Sequence, residues 1–389
     1  MSSDVAGSAS GIALADDSIH PYRIDVPQDV LDDLQRRLES TRWAFTDDPS
    51  SWADGAASSY LRALVAHWIT DYDWRAQERR LNSYPQYTTV IGGEPIHFVW
   101  LQGEASANRR PPVVLTHGWP GSFLEFLTVG DQLVAHGHDV VIPTIPGFGF
   151  PGPPRAGRAT VQGVSLAWAA LMQRLGYSSY YAHGGDIGSV IARVLGLVDT
   201  EHVLAIHLTS IMGGIPDIGG LPSDALTTKA EKAAFRYATE LSAYAHLHAT
   251  RPLSLSHALS DSPAGVLGWI VERFHDWTEA TTTLRDTVDR DELITNTMIY
   301  WLTNATTSSA TFYKTNGFYG GMSFEIPVSP TPTAVSVFPH DIIVSDRTLA
   351  EPYNRITEWT EHTTGGHFPG LEVPDLLAAD LLRAFSEDA

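Results

Sequence analysis

Residues 180–189 read Tyr-Tyr-Ala-His-Gly-Gly-Asp-Ile-Gly-Ser, and this stretch decides the fold of the chain. Its aromatic and apolar start predicts a short buried strand, and the following Val-Ile-Ala-Arg-Val-Leu at 190–195 predicts a helix. Gly184 and Gly188 provide the small residues that a sharp turn between strand and helix requires. The turn therefore presents Asp186 at its tip.

Two interpretations of this turn are open. A Gly-x-Asp-x-Gly turn between a strand and a helix is typical of the nucleophile elbow of α/β-hydrolases, with Asp186 where esterases carry serine. The same residues also fit a glycine-rich turn whose aspartate only caps the helix. As a nucleophile, a carboxylate is already ionised at neutral pH and can attack saturated carbon, which leaves an ester that water must cleave.

Composition narrows the chemistry further. The chain has 389 residues, of which 43% are hydrophobic and 10% aromatic, so we expect a folded globular protein. It contains no cysteine, which excludes thiolate nucleophiles, disulfides and cysteine-ligated metals. A formal net charge of −20 disfavours nucleic acid and anionic membranes as partners. Because we find neither a secretory signal nor a membrane-spanning stretch, we predict a cytoplasmic protein without a membrane anchor.

From residue 111 onward, short apolar runs alternate with helical patterns. This alternation predicts an α/β fold, with a mostly parallel, doubly wound sheet and helices on both faces. The alternation stops after Val203–Leu208, where a long helical stretch predicts an inserted lid. We expect five segments: a flexible tail over 1–20, an N-terminal region over 21–110 that wraps the core and holds a hairpin at Gly92-Gly93, a first core part over 111–215, the helical lid over 216–328 and a second core part over 329–389.

Chain order suggests the remaining catalytic groups, because in this fold the nucleophile is followed by an acid and then by a histidine. His367 lies in a Gly-Gly-His-Phe loop before the last helix and is the predicted base. We prefer it to His362, which continues a strand pattern. Asp341 follows a predicted strand and is the predicted partner of His367, whereas we interpret Asp346 as a solvated loop carboxylate.

A second turn, His-Gly-Trp-Pro-Gly-Ser at 117–122, follows the first strand of the core. In this fold the corresponding turn supplies one backbone amide to the oxyanion hole, and the residue after the nucleophile supplies the other. We therefore expect the N–H groups of Trp119 and Ile187 to stabilise the negative oxygen that forms on the Asp186 ester when water attacks.

Four motifs, in this order, resemble the epoxide hydrolases of the microsomal and juvenile-hormone type: His-Gly-Trp-Pro-Gly-Ser at 117–122, Gly-Gly-Asp-x-Gly-Ser at 184–189, Phe-Pro-His-Asp at 338–341 and Gly-Gly-His-Phe at 365–368. The resemblance extends back to Pro21 and includes the N-terminal region of that family. It implies a soluble, bacterial-type enzyme that uses no cofactor and no metal. It also implies two lid tyrosines that donate hydrogen bonds to the epoxide oxygen, Tyr244 in Ala-Tyr-Ala-His and Tyr313 in Ser-Ser-Ala-Thr-Phe-Tyr.

The resemblance also indicates the substrate. A small-molecule epoxide and water are the expected partners, and the oligomeric state stays open, with a homodimer as one option. Ile187 stands where relatives usually carry tryptophan, so we expect a wider pocket and an aryl or otherwise bulky epoxide, used in detoxification or secondary metabolism. The residues that flank the motifs are expected to line this pocket: His117, Gly118, Pro120, Phe148 and Phe368.

Two other functions stay open at this point. A haloalkane or haloacid dehalogenase shares the aspartate nucleophile, the histidine and the fold, but it needs halide-binding donors, commonly a tryptophan where this chain has Ile187. A non-catalytic ligand-binding protein on the same scaffold is expected to have lost part of the triad. The complete set of Asp186, Asp341 and His367 argues against the ligand-binding protein, and Ile187 argues against the dehalogenase, so the sequence favours the epoxide hydrolase.

Overall fold

The computed structural model describes residues 17–103, 109–154, 159–220, 222–279, 287–318 and 326–386. Most of the tail that was expected over 1–20 lies outside these residues, and His20 already belongs to the first strand. The strands are β1 His20–Tyr22, β2 Gln86–Ile91, β3 Glu94–Leu101, β4 Arg110–Thr116, β5 His138–Pro143, β6 Tyr180–Gly184, β7 Val203–Leu208, β8 Ser329–Val337 and β9 Asn354–Glu361.

Helices surround these strands. The α-helices are α1 Gln28–Glu39, α2 Ser58–Thr70, α3 Trp74–Leu81, α4 Leu127–Ala135, α5 Val161–Arg174, α6 Ile187–Val198, α7 Lys229–Arg236, α8 Ala243–Thr250, α9 Pro252–Leu259, α10 Pro263–Trp277, α11 Arg290–Leu302, α12 Thr306–Thr315, α13 Arg347–Ala350, α14 Pro369–Glu372 and α15 Pro374–Ala384. Short 3-10 turns and one π-helical turn, Tyr237–Leu241, connect some of them.

All nine strands form one sheet, in the order β1-β2-β3-β5-β4-β6-β7-β8-β9. Neighbours from β5 to β9 run parallel, which confirms the mostly parallel sheet of the prediction. The N-terminal region does more than wrap the core, because β1, β2 and β3 extend this sheet with antiparallel pairs. The hairpin at Gly92-Gly93 makes this possible, since both glycines have positive φ, at 61° and 86°.

The sheet reverses its winding direction at β4, because β5 and β6 lie on opposite sides of this strand. Ligands of open α/β sheets bind at such a switch point, beyond the carboxyl ends of the strands. Here Thr116 at the end of β4 pairs with Gly184 at the end of β6. The turn that contains Trp119 and the turn that contains Asp186 therefore lie side by side.

Helices α7–α12 occupy the chain between β7 and β8, where the sequence predicted an inserted lid. The apolar face of α10 is buried through Leu267, Val271 and Phe274. Helix α12 packs against α8 and α9. This packing places α8 and α12, which are far apart in sequence, over the carboxyl edge of the sheet.

Candidate active site

Asp186 occupies a strained turn of the nucleophile-elbow type. Its φ of 52° and ψ of −128° are unusual for any residue with a side chain. A Cβ on Gly184 would lie 2.0 Å from the Gly188 carbonyl oxygen, and a Cβ on Gly188 would lie 2.0 Å from that of Thr116. The Asp186 side chain makes no capping hydrogen bond to α6. These observations favour the elbow over the helix-cap interpretation.

The Asp186 carboxylate is held between an amide and an imidazole. Its Oδ1 accepts a hydrogen bond from the N–H of Trp119 at 2.9 Å. Its Oδ2 lies 3.5 Å from Nε2 of His367. Ile187, the second expected amide donor, is the first residue of α6, and its role at the carboxylate stays a prediction. The carboxylate thus already has one oxygen at a donor that could later stabilise an oxyanion.

His367 and Asp341 form the expected pair. Nδ1 of His367 donates to Oδ1 of Asp341 at 2.7 Å, and both side chains are only 2% exposed. Burial by itself would lower the pKa of His367, but the carboxylates of Asp341 and Asp186 outweigh it and raise this pKa well above its usual range. In the resting protein the imidazole therefore holds its proton between two anions.

The two less favoured candidates have other partners. His362 contacts Oδ2 of Asp380 at 2.6 Å and stacks on Phe338, with 4.7 Å between the ring centroids. Asp346 caps α13 by accepting the N–H of Thr348 at 2.8 Å. Neither residue is therefore brought to the elbow.

Tyr244 and Tyr313 meet above the elbow, on α8 and α12. Their ring centroids are 5.9 Å apart, and Trp119 stacks on Tyr244 at 5.0 Å and meets Tyr313 edge-on at 6.0 Å. Burial raises the pKa of both phenols well above the usual range, so both keep their protons. Among the described residues, the Tyr313 hydroxyl meets no partner at ordinary hydrogen-bond geometry, although the Tyr244 phenol lies next to it. The site therefore offers neutral phenol donors to a ligand.

Gly118 and Phe368, two of the expected pocket residues, lie directly beside the catalytic candidates. A Cβ on Gly118 would fall 2.3 Å from Oδ1 of Asp186, so this position has no space for a side chain. The ring of Phe368 meets that of His367 edge-on, with centroids 4.9 Å apart. Phe368 thus forms part of the wall behind the imidazole.

The other three expected pocket residues make contacts with neighbouring parts of the protein around the 117–122 turn. His117 contacts the carbonyl oxygen of Gly118 through Nδ1 at 3.0 Å and accepts the N–H of Ile145 at Nε2, at 3.2 Å. Burial lowers its pKa to about 4, so the imidazole is neutral and leaves no ring nitrogen for a substrate. The carbonyl oxygen of Pro120 accepts from Asn296 of the lid at 2.7 Å, and Phe148 packs on His117.

Sequence reasoning missed two buried ionisable residues near the site. Glu125 follows the Trp119 turn and is 6% exposed, and burial raises its pKa to about 8. Arg273 on α10 is 4% exposed, and its guanidinium lies 5.0 Å from the centroid of the Tyr244 ring. The available signal was an ionisable residue within an otherwise apolar run: one glutamate in Phe-Leu-Glu-Phe at 123–126, and an adjacent glutamate and arginine in Ile-Val-Glu-Arg-Phe at 270–274.

Two searches of the described parts of the chain bear on other kinds of site. No three His, Cys, Asp or Glu side chains of these residues converge as metal ligands would. Across the same residues, every helix is too short or too polar to cross a membrane.

Comparisons with known proteins identify relatives that match nearly all of the chain. The family model described as "Epoxide hydrolase N terminus" matches residues 19–126, and the one described as "alpha/beta hydrolase fold" matches residues 111–261. A Stigmatella aurantiaca protein with a provisional epoxide hydrolase name is 37% identical over 95% of this chain and 85% of its own length. Rabbit (Oryctolagus cuniculus) "Epoxide hydrolase 1" is 32% identical over 96% of this chain and 90% of its own.

A solved structure extends the likeness to three dimensions. The epoxide hydrolase of Aspergillus niger superposes with a TM-score of 0.81 at 30% identity, which covers 94% of this chain and 96% of that one. The likeness therefore includes the N-terminal region, the core and the inserted helices together.

Proposed function

This chain belongs to the epoxide hydrolase family, and from that premise we propose that Asp186, His367, Asp341, Tyr244 and Tyr313 convert an epoxide to a vicinal diol through an ester on Asp186. The observation that supports this proposal most is the position of the Asp186 carboxylate. It lies between the Trp119 amide, at 2.9 Å, and the His367 imidazole, at 3.5 Å. The dehalogenase and the ligand-binding protein are not favoured, because the relatives are epoxide hydrolases.

In the first step, Asp186 attacks a ring carbon of the epoxide. One carboxylate oxygen forms a bond to that carbon while the ring C–O bond breaks and its electron pair stays on the epoxide oxygen. Tyr244 and Tyr313 donate to this oxygen, and one phenol supplies the proton that converts it to a hydroxyl. Because burial keeps both phenols protonated, the donors are present before the substrate arrives.

In the second step, water cleaves the ester. Once Asp186 is esterified it carries no charge, so the pKa of His367 falls and the imidazole can release its proton to the phenolate left by the first step. Neutral His367 then accepts a proton from water, whose oxygen attacks the ester carbonyl carbon. The Trp119 amide and, in our proposal, that of Ile187 stabilise the oxyanion. The intermediate collapses as His367 returns the proton to the departing diol oxygen, and Asp341 holds the imidazole throughout.

We further propose an aryl or otherwise bulky epoxide as the substrate. Rings surround the carboxylate on the lid side, with Trp119, Tyr244 and Tyr313 in mutual contact, and flat apolar groups pack well on such surfaces. Ile187 is buried beside Asp186. It takes less space than the tryptophan that, by the resemblance, relatives usually carry at this position. Location in the cytoplasm stays a prediction from the sequence, and the oligomeric state stays open, with a homodimer as one option.

Intact-mass analysis after exposure to styrene oxide tests the scheme. His367→Gln is expected to accumulate a species heavier by one substrate molecule, because the ester forms but is not hydrolysed. Asp186→Ala is expected to form no adduct and no diol. An unmodified His367→Gln protein after prolonged exposure, alongside a natural protein that does produce the diol, would contradict the covalent route.

A further inference from the structure

The C-terminal end of lid helix α10 lies directly against the loop that carries His367. The carbonyl oxygen of Trp277, the last residue of α10, accepts the N–H of His367 at 2.7 Å. The Trp277 ring meets the His367 ring edge-on, with centroids 4.8 Å apart, and also contacts the Tyr244 ring at 5.1 Å. One residue at the end of the lid helix therefore touches both the proposed base and one proposed acid.

Two carboxylates add further links between this loop and the helix end. Glu279, two residues beyond α10, accepts the N–H of Gly365 at 2.8 Å and the hydroxyl of Thr364. Glu372 on α14 accepts the N–H of Phe368 at 2.9 Å through one oxygen and the N–H of Glu279 at 3.2 Å through the other. Hydrogen bonds to charged acceptors are stronger than those between neutral groups, so these links restrict the loop on both sides of the imidazole.

Gly366 shows how closely the loop and the helix end approach. A Cβ at this position would lie 2.5 Å from the Trp277 carbonyl oxygen, 2.8 Å from Cα of Thr278 and 3.1 Å from Oε1 of Glu372. Burial raises the pKa of Glu372 to about 7, an effect that the N–H groups of Glu279 and Phe368 counter by favouring the charged form. The contact is thus close and includes a partly buried carboxylate that accepts one N–H from the loop and one from the segment after α10.

We propose that Glu279 and Glu372 are positioning residues for ester hydrolysis, which fix the His367 loop to the end of α10 and so hold the imidazole where it can activate water. The inference rests on the proposed function. Ring opening needs Asp186 and the two tyrosines, which lie on the β6–α6 turn and on α8 and α12. Loss of these links should therefore slow the hydrolysis of the ester and leave its formation largely intact.

The test separates the two steps in Glu279→Ala, Glu372→Gln and Gly366→Ala; alanine is used at 279 because one oxygen of Glu279 accepts both hydrogen bonds and the amide oxygen of glutamine would keep them. Glutamine at 372 keeps the size but replaces one of the two acceptors by an NH₂ group. Each protein is mixed with excess styrene oxide and quenched at successive times, and intact mass gives the esterified fraction while chromatography gives the diol. We expect ester formation within about twofold of the natural rate and ester hydrolysis slower by about tenfold or more, because small displacements of a reacting group are costly.

A matched control is Glu351→Gln, which changes a half-exposed carboxylate that pairs with Arg347 on the surface. This variant should keep both rates. Gly366→Ala alters no charge, so the same selective loss there supports a positional effect. If Gly366→Ala keeps the natural hydrolysis rate while the two glutamate variants are slow, the effect is one of charge and the inference is wrong.

Two further results would overturn the inference while leaving the proposed function in place. One is a natural hydrolysis rate in all three variants. The other is an equal slowing of both steps, which is what general destabilisation would cause. A natural protein that forms no ester overturns the proposed function itself, and the inference with it.

Discussion

Replacement of Glu125 by glutamine should stabilise the protein, and the gain should grow with pH. Glu125 is 6% exposed and lies on the 3-10 turn after Trp119. Burial raises its pKa from 4.5 to about 8; His367 opposes this rise, and the Asp186 charge adds to it. The folded protein therefore keeps the Glu125 proton over a pH range in which the unfolded chain has released it.

The magnitude follows from proton linkage. Stability falls with rising pH wherever the folded state binds more protons than the unfolded state, here between the unfolded pKa near 4.5 and the folded pKa near 8. The resulting destabilisation is about 1 kcal/mol at pH 5 and about 3 kcal/mol at pH 7. Glutamine does not titrate. From pH 5 to pH 7 the free energy of unfolding of Glu125→Gln should therefore rise by about 2 kcal/mol relative to that of the natural protein.

Urea unfolding followed by tryptophan fluorescence at pH 5, 6, 7 and 8 measures this difference, with Glu351→Gln as the control that should show no such trend. Infrared spectroscopy adds a direct check, because at pH 7 the natural protein should show the carbonyl stretch of a protonated carboxylic acid that Glu125→Gln lacks. A stability difference that stays constant from pH 5 to pH 8, or an infrared spectrum that does not change with the substitution, would refute the reasoning.

Three further predictions concern the site. Asp186→Asn should lower the pKa of His367, because it removes one of the two carboxylates that raise it. NMR titration of the imidazole measures this pKa, and an unchanged value would show that Asp186 does not influence it. Tyr244→Phe and Tyr313→Phe should each slow ester formation by about 100-fold while ester hydrolysis persists, as measured by quenched intact mass. Ile187→Trp should reduce turnover of styrene oxide more than turnover of a small alkyl epoxide; an unchanged ratio would count against the wide pocket.

The elbow could be predicted because it depends on local sequence, and the order of the catalytic groups because it follows the chain order of this fold. Gly184 and Gly188 are needed within a single turn, and the strand and helix on either side of it have simple patterns. Tyr244 and Tyr313 could not be selected from residues alone, since their proximity depends on the packing of α12 against α8. The resemblance supplied them, and the structure brings their rings within 5.9 Å.

His117 is the opposite case, because a motif residue that was expected to face the substrate contacts the main chain instead. Its place between β4 and Gly118 predicts a polar group facing the substrate. The structure instead pairs its Nε2 with the N–H of Ile145, a residue beyond β5, and this neighbour follows from the strand order rather than from the motif. Buried polar groups are usually hydrogen-bonded, and both ring nitrogens of His117 are paired with main-chain atoms close to them.

A single charge, that of Asp186, couples the two chemical steps of the proposed reaction. While Asp186 is ionised it raises the pKa of His367 and keeps the imidazole protonated, so the base cannot deprotonate water before a substrate is bound. Ester formation removes that charge and leaves Asp341, 2.7 Å away, as the one carboxylate in contact with the imidazole among the described residues. The pKa of His367 then falls at the moment when a base is needed. In the proposed reaction, the order of the two steps is thus a consequence of electrostatics within the site.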